Sequence, residues 1–215
     1  MFSPEQKLKL LEGAKKLGLS FDERFVPKLS SLVENLLEWN HQINLTAITE
    51  IDEVIEKHLI DSLALLPYLL PGSLMDVGSG AGFPGLPLAI VQPEREFILV
   101  EATKKKVNFI SEMITRLELN NCRSIWSHLP DKKITTKVDQ IVSRGTFKVA
   151  DFLKAALPSL APRGQLILMK GKIPESELIL AIDLIKKYRL VETRLIYQLP
   201  YSKADRSLFV WKKPV

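Results

Sequence analysis

Cysteine occurs once in the 215 residues, at Cys122, which excludes an intrachain disulfide framework and a cysteine-rich metal site. Histidine occurs three times, at His41, His58 and His128, without the spacing of a ligand set, so no bound metal is expected. No apolar run approaches the length that crosses a bilayer, and no membrane association is expected. The stretch from Met1 to Lys7 lacks the apolar centre and small-residue cleavage site of a secretion signal, so a cytoplasmic location is expected. Internal repeats and low-complexity segments are also missing. Neither sign of charge is in large excess: 30 Lys+Arg against 25 Asp+Glu give a net +5 and a pI near 9.2. That balance permits a polyanionic partner such as RNA without selecting one.

With 46% hydrophobic and 26% charged residues, a chain of this length builds one α/β core with a smaller appended element. Residues 4–18 and 25–41 read as helices; in the second, Phe25, Leu29, Leu32, Val33, Leu36 and Leu37 form a single apolar stripe. A third amphipathic segment carries Ile51, Val54, Ile55, Leu59, Leu63 and Leu66 and stops at Pro67. Residues 1–70 are therefore expected to form an N-terminal helical region. From Ser73 the rhythm changes to strands at Leu74–Val77, Glu96–Glu101, Arg123–Trp126, Val138–Ser143 and Gln165–Lys170. Helical stretches at Leu86–Val91, Lys104–Leu119 and Lys148–Leu160 separate them, which predicts a parallel sheet covered on both faces over residues 71–215. After a helix near Glu175–Tyr188, the runs Leu190–Leu199 and Ser207–Lys212 predict a terminal antiparallel hairpin.

The densest signal lies between Leu74 and Gly85. An apolar strand ends at Asp76, and Gly78, Gly80, Gly82 and Gly85 follow within eight positions. Such a loop lets a nucleotide-sized ligand lie against bare backbone. Glu101, at the end of the next strand and 23 residues beyond Gly78, stands where a carboxylate can accept ribose hydroxyls. Dinucleotides and S-adenosylmethionine both suit this arrangement. The dinucleotide pattern needs glycine at position 83, where Phe83 stands, and Phe83-Pro84 intervenes before the helix. No Lys-Ser/Thr pair follows the glycines, which disfavours an NTPase. The sheet closed by a hairpin, with Asp76–Gly82 as D-x-G-x-G-x-G, resembles the class I S-adenosylmethionine-dependent methyltransferase fold and its first cofactor motif.

Further segments narrow the resemblance. Asn44-Leu45-Thr46, His58-x-x-Asp61-Ser62, the glycine loop with its Phe83-Pro84-Gly85 extension, Ser143-Arg144 and Lys170-Gly171 occur in this order. The set resembles the bacterial guanine-N7 methyltransferases of small-subunit (16S) ribosomal RNA, also called glucose-inhibited division protein B, over nearly the whole chain. The resemblance implies S-adenosylmethionine as cofactor and 16S rRNA, or the small ribosomal subunit or its precursor, as partner. It also implies cofactor contacts from Gly78 and Phe83, and a site role for Arg144. Leu129-Pro130 stand where the family holds the adenine with a residue followed by glutamate; this chain lacks that glutamate, and Pro130 offers no N–H. A non-catalytic ribosome-assembly factor of the same fold is the alternative that this departure keeps open. A monomer is expected.

Guanine N7 carries an in-plane lone pair and no proton, so transfer needs proximity and charge stabilisation rather than a general base. In keeping with this, the chain has neither a Pro-Cys nucleophile motif nor an Asn/Asp-Pro-Pro-aromatic motif for amine methylation. Arg144, at a strand end, either bonds cofactor or rRNA phosphate or pairs structurally with a carboxylate such as Asp76. His58 and Asp61, three apart on one helix face, either approach the cofactor loop or link the helical region to the sheet. Lys104, Lys105 and Lys106 begin a helix, where cations are mildly unfavourable, and with Lys170 and Lys172 they are candidates for RNA backbone contact. Trp39, Trp126 and Trp211 fall in helix or strand positions and are expected in the core.

Overall fold

The computed structural model describes every residue except 129, 130, 132, 133, 135, 146, 172–174 and 215. Local chemistry starts the chain: Ser3 and Gln6 close a capping box on α1 (Pro4–Lys16), with Pro4 in the first turn and Lys15 and Lys16 in the last. Helix α2 (Val26–Asn40) buries the predicted stripe through Leu29, Leu32, Val33 and Leu36. The third helical segment is one run in three parts: α3 (Ile51–Val54), a π-helical stretch Ile55–Ile60 and α4 (Asp61–Leu63). It ends three residues short of Leu66, where a short 3-10 turn carries Pro67.

The sheet follows the expected rhythm. Strands β1 (Leu74–Val77) and β2 (Phe97–Glu101) are buried at every position, as strands covered on both faces must be. With β3 (Cys122–Trp126), β4 (Val138–Arg144), β5 (Leu160–Lys170), β6 (Val191–Gln198) and β7 (Asp205–Lys212) they form one seven-stranded sheet ordered β3-β2-β1-β4-β5-β7-β6. Pairing is parallel from β3 to β5; β7 then enters antiparallel beside β5, Leu168 opposite Phe209, and β6 pairs antiparallel with β7.

Helices α5 (Gly85–Val91), α6 (Lys104–Arg116), α7 (Val149–Ala156), α8 (Glu175–Ile179) and α9 (Ile182–Lys187) cover the faces. The predicted helix 148–160 stops earlier than expected, because Pro158 sits in a 3-10 turn and Leu160 already belongs to β5. The predicted helix 175–188 is broken, with fully buried Ala181 turning the chain inward between α8 and α9.

The side chains on the two sheet faces make two cores. One joins Leu10, Leu29, Leu32 and Leu63 of the helical region to Leu74 and Leu99 of the sheet and to Phe109 of α6. The other gathers Met75, Val77, Ile98, Phe152 and Trp211. The helical region therefore has no core apart from the sheet's.

Trp211 shows how the second core is held. It is fully buried, stacks on Phe209 with centroids 5.8 Å apart, and donates its indole N–H to Glu192 Oε2 at 2.8 Å. Trp211→Ala should cost ~3–5 kcal/mol in urea unfolding through the cavity it leaves. A loss below ~1 kcal/mol would show that this core collapses around the gap.

Candidate active site

Three adjoining clefts run across the carboxyl ends of the parallel strands. An outer cleft of about 180 Å³ lies beside Gly78, Glu101, Ala102, Ser127, His128 and Phe147. A central cleft of about 130 Å³ is lined by Thr46, His58, Gly78, Gly80, Phe83 and Arg144. A third, of about 300 Å³, is walled by Lys57, His58, Asp61, Arg144, Lys170 and Arg206. Gly78 is common to the first two, and His58 and Arg144 to the last two, so they form one trough. Its place, outside the strand ends where β1 lies between β2 and β4, is the topological switch point at which open α/β sheets bind ligands.

The glycine loop shapes the middle of the trough. Gly78, Gly80 and Gly82 have φ of 68°, 59° and 83°. A Cβ on Gly80 would meet nothing within 4 Å, so bare backbone borders open space there. The Glu101 carboxylate, 7% exposed, ties the loop to the start of α6: Oε2 accepts the Gly80 N–H at 2.9 Å and Oε1 the Thr103 N–H at 2.8 Å. Each oxygen keeps acceptor capacity for a ligand hydroxyl. Below the loop, wholly buried Asp76 accepts the Gly85 N–H on Oδ2 at 2.9 Å, an approach that a side chain at Gly85 would obstruct. Burial first, against the Gly85 hydrogen bond and Arg144, pushes the Asp76 carboxyl up to about 7.

Arg144, at the end of β4, is gripped by the helical region. Its Nη1 donates to the Lys57 carbonyl at 2.9 Å and pairs with Asp61 Oδ2 at 3.5 Å, and its Nη2 reaches His58 Nδ1 at 3.1 Å. A guanidinium only donates, so His58 Nδ1 accepts, and the ring proton sits on Nε2, 2.8 Å from Thr46 Oγ1. Burial first, then Arg144, drives His58 down to about 3, and the ring is neutral at pH 7. It stacks on Phe83 of the glycine loop at 4.8 Å. Asp61 Oδ1 accepts from Tyr197 on β6 at 2.8 Å and from Arg206 on β7 at 3.2 Å. One buried carboxylate thus gathers β4, β6 and β7 onto the helical run.

A profile of the family described as rRNA small subunit methyltransferase G matches residues 26–196. The chain belongs to that family. It is 39% identical over 170 residues to Ribosomal RNA small subunit methyltransferase G of Coxiella burnetii (strain Dugway 5J108-111), covering 79% of this chain and 83% of that one. The Myxococcus xanthus (strain DK1622) protein of the same name is 35% identical over 208 residues, covering 95% of each. In fold, the chain is similar to a SAM-dependent methyltransferase from Aquifex aeolicus, with a TM-score of 0.58 at 19% identity over 74% of this chain and 92% of that one. Fold and family both agree with the class I methyltransferase expected from the glycine loop and the hairpin.

Within this family framework the candidate residues divide. Gly78, Gly80, Phe83, Glu101 and Arg144 converge on the trough. Asp76 and Gly82 line none of its clefts: Asp76 braces the loop from beneath, and Gly82 makes the turn, where a Cβ would fall 2.3 Å from Leu86. The carboxylate that Arg144 pairs with is Asp61, rather than the Asp76 considered from sequence. His58 and Asp61 fulfil both of their alternatives, one on the glycine loop and one on the sheet. Lys104 and Lys105 are exposed and Lys106 half-buried, whereas Lys170, on the wall of the third cleft, has its ammonium paired with Glu177 at 2.7 Å and little exposed. Leu129, Pro130 and Lys172 lie outside the described residues.

Trp126 corrects the expectation of a core position. It is 58% exposed on the edge strand β3, whereas Trp211 is buried and Trp39 packs edge-on against Phe109. Sequence reading missed Thr46, Tyr197, Arg206, Phe147 and His128 as parts of the site. Asn40 is the hidden organiser of Thr46: its side chain accepts the Leu45 and Thr46 N–H groups and donates to the Thr46 carbonyl. Cys122, at the opposite end of the strands, is buried with its thiol pushed up to about 12, which suits no nucleophile. Among the described residues, no group of three His, Cys, Asp or Glu side chains is placed to hold a metal ion.

Asp76 and His58 act oppositely on stability. Asp76, near 7 when folded against an ordinary 3.8, makes the fold less stable as pH rises from about 4 to 7. His58, near 3 against 6.5, makes it more stable over an overlapping range. Asp76→Asn removes the first effect and keeps an acceptor for Gly85. The melting temperature of D76N relative to wild type should therefore climb between pH 4 and 7 and level off above. A difference constant across that range would show that Asp76 ionises normally.

Proposed function

We propose that this chain transfers the methyl group of S-adenosylmethionine to N7 of one guanine in 16S ribosomal RNA, presented free or in the small subunit or its precursor. The observation that carries the reading is the trough itself. A cofactor-sized section around Gly78 and Glu101 opens, past His58 and Arg144, into a larger cleft walled by Lys57, Arg144 and Arg206. Membership of the rRNA small subunit methyltransferase G family supports the rRNA assignment.

The residues present fit the cofactor. Glu101 has acceptor capacity for ribose hydroxyls, Gly78 and Gly80 present backbone without side chains, and Phe147 and Ser127 flank space for a flat base. When bound, S-adenosylmethionine supplies an electrophilic sulfonium methyl. The protein's own work is to hold and orient. Phe83 and His58 form a neutral, stacked wall, and Arg144 is held by three atoms of the helical run and so loses little entropy when the trough fills. A base that gives up no proton needs no general base, and a His58 that stays neutral is compatible with that demand.

Lys104, Lys105 and Lys106 begin α6 a few residues after Glu101, and their charge suits attraction of the RNA backbone. The proposed working unit is a monomer in the cytoplasm. Among the described residues no helix is long and apolar enough to cross a membrane. The non-catalytic alternative is not favoured, because the glycine loop and Glu101 leave the cofactor section open.

Two measurements test the reading. Primer extension after N7-specific cleavage of 16S rRNA should reveal one stop in cells expressing this chain and none in the deletion strain; identical patterns would sink the proposal. In calorimetry, Glu101→Gln turns one acceptor toward a backbone N–H into a donor, and S-adenosylhomocysteine should bind about tenfold more weakly or worse. Unchanged affinity would remove Glu101 from the cofactor site.

A further inference from the structure

Trp126 has no role in the trough, yet it is the large aromatic side chain with the greatest exposure among the described residues. It is also not a loose side chain. Its Nε1–H donates to the Ala102 carbonyl at 2.8 Å, and the Lys104 ammonium lies 4.5 Å from the ring centroid. The indole's single polar atom is thereby spent inside the protein, and what remains for a partner is π-surface.

Its position is specific. Trp126 pairs in register with Glu101, and the next residue, Ser127, lines the outer cleft with Ala102. Lys104, over the Trp126 ring, begins a run of three cations at the start of α6, and among the described residues none of Lys104, Lys105 and Lys106 is ion-paired with a carboxylate. Elsewhere, Lys7, Lys9, Lys57 and Lys170 each have one. A fixed, exposed indole with the Lys104 ammonium beside it, next to a helix start that carries two further cations, offers what single-stranded nucleic acid requires: a platform for a base and counter-charge for the phosphates beside it.

We propose that Trp126 stacks an unpaired base of the rRNA that flanks the target guanine, while Lys104 and Lys105 hold the phosphates of the same strand. The inference rests on the rRNA reading above and adds to it a second point of attachment. Because no hydrogen-bonding edge of the indole is available, the platform accepts any base, and it contributes affinity and register rather than sequence choice.

The test uses the full chain with protein-free 16S rRNA. Trp126→Ala should raise the RNA Kd and KM about tenfold, equivalent to about 1.4 kcal/mol, with kcat at saturating RNA and S-adenosylhomocysteine affinity unchanged. Trp126→Phe, which keeps a π-face, should restore most of the RNA affinity. RNA should quench tryptophan fluorescence of the wild-type chain and quench W126F less, since Trp211 is fully buried and Trp39 is half-buried against Phe109. An unaltered RNA Kd in W126A would overturn the stacking role. So would a parallel loss of S-adenosylhomocysteine affinity, which would make the indole a prop for Ala102. If the unaltered protein methylates 16S rRNA neither free nor in the small subunit, the functional reading fails; if it methylates either and W126A matches it on that substrate, only the platform fails.

Discussion

The carboxylate of Asp61 is the constraint on which the site depends. It is 3% exposed, and around it converge Arg144 from β4, Arg206 from β7 and Tyr197 from β6. Two guanidinium groups share one buried anion, and stranding a buried charge by removing its partner typically costs ~3–5 kcal/mol. The net stability gained over an apolar core is small. What the arrangement secures is position: the helical run cannot shift on the sheet without breaking several charged hydrogen bonds at once.

That position transmits directly to the trough. The segment Ile55–Ile60 is π-helical, and it is from this stretch that the Lys57 carbonyl and the His58 ring reach Arg144. π-helical turns are frequent at functional sites, since the extra residue in the turn redirects side chains that an α-helix would place elsewhere. His58 passes the constraint to Phe83 by stacking, and Phe83 belongs to the glycine loop. On the other side of that loop Glu101 performs the equivalent service from β2. The loop is thus held between two anchors from different parts of the chain, with Asp76 beneath it. A bare backbone would otherwise be the most mobile part of the molecule; here it is pre-organised.

Much of the architecture was legible in residue order. Strands covered on both faces appear as uninterrupted apolar runs, and β1, β2 and β4 were found within a residue of their ends. The glycine loop was legible because positive φ at Gly78, Gly80 and Gly82 restricts the residue type. Less was legible where burial depends on what lies beside an element. Trp126 has the aromatic side chain of a core residue, but β3 is the sheet edge, and among the described residues nothing buries the indole. Nor does residue order announce that α8 sets Glu177 against Lys170.

The division has a physical basis. Backbone conformation, hydrophobic periodicity and the chemistry of a glycine-rich turn are properties of neighbouring residues, so fold class, the glycine loop and the strand-end carboxylate at Glu101 could be read along the chain. Asp61 meets Tyr197 and Arg206 across more than 130 positions, and Arg144 meets Lys57 across 87. Ion pairs and hydrogen bonds of that kind leave no local pattern, because nothing in the spacing of either partner records the other. The grip on Arg144, the protonation of His58 and the exposure of Trp126 exist only once the sheet order has set those elements side by side.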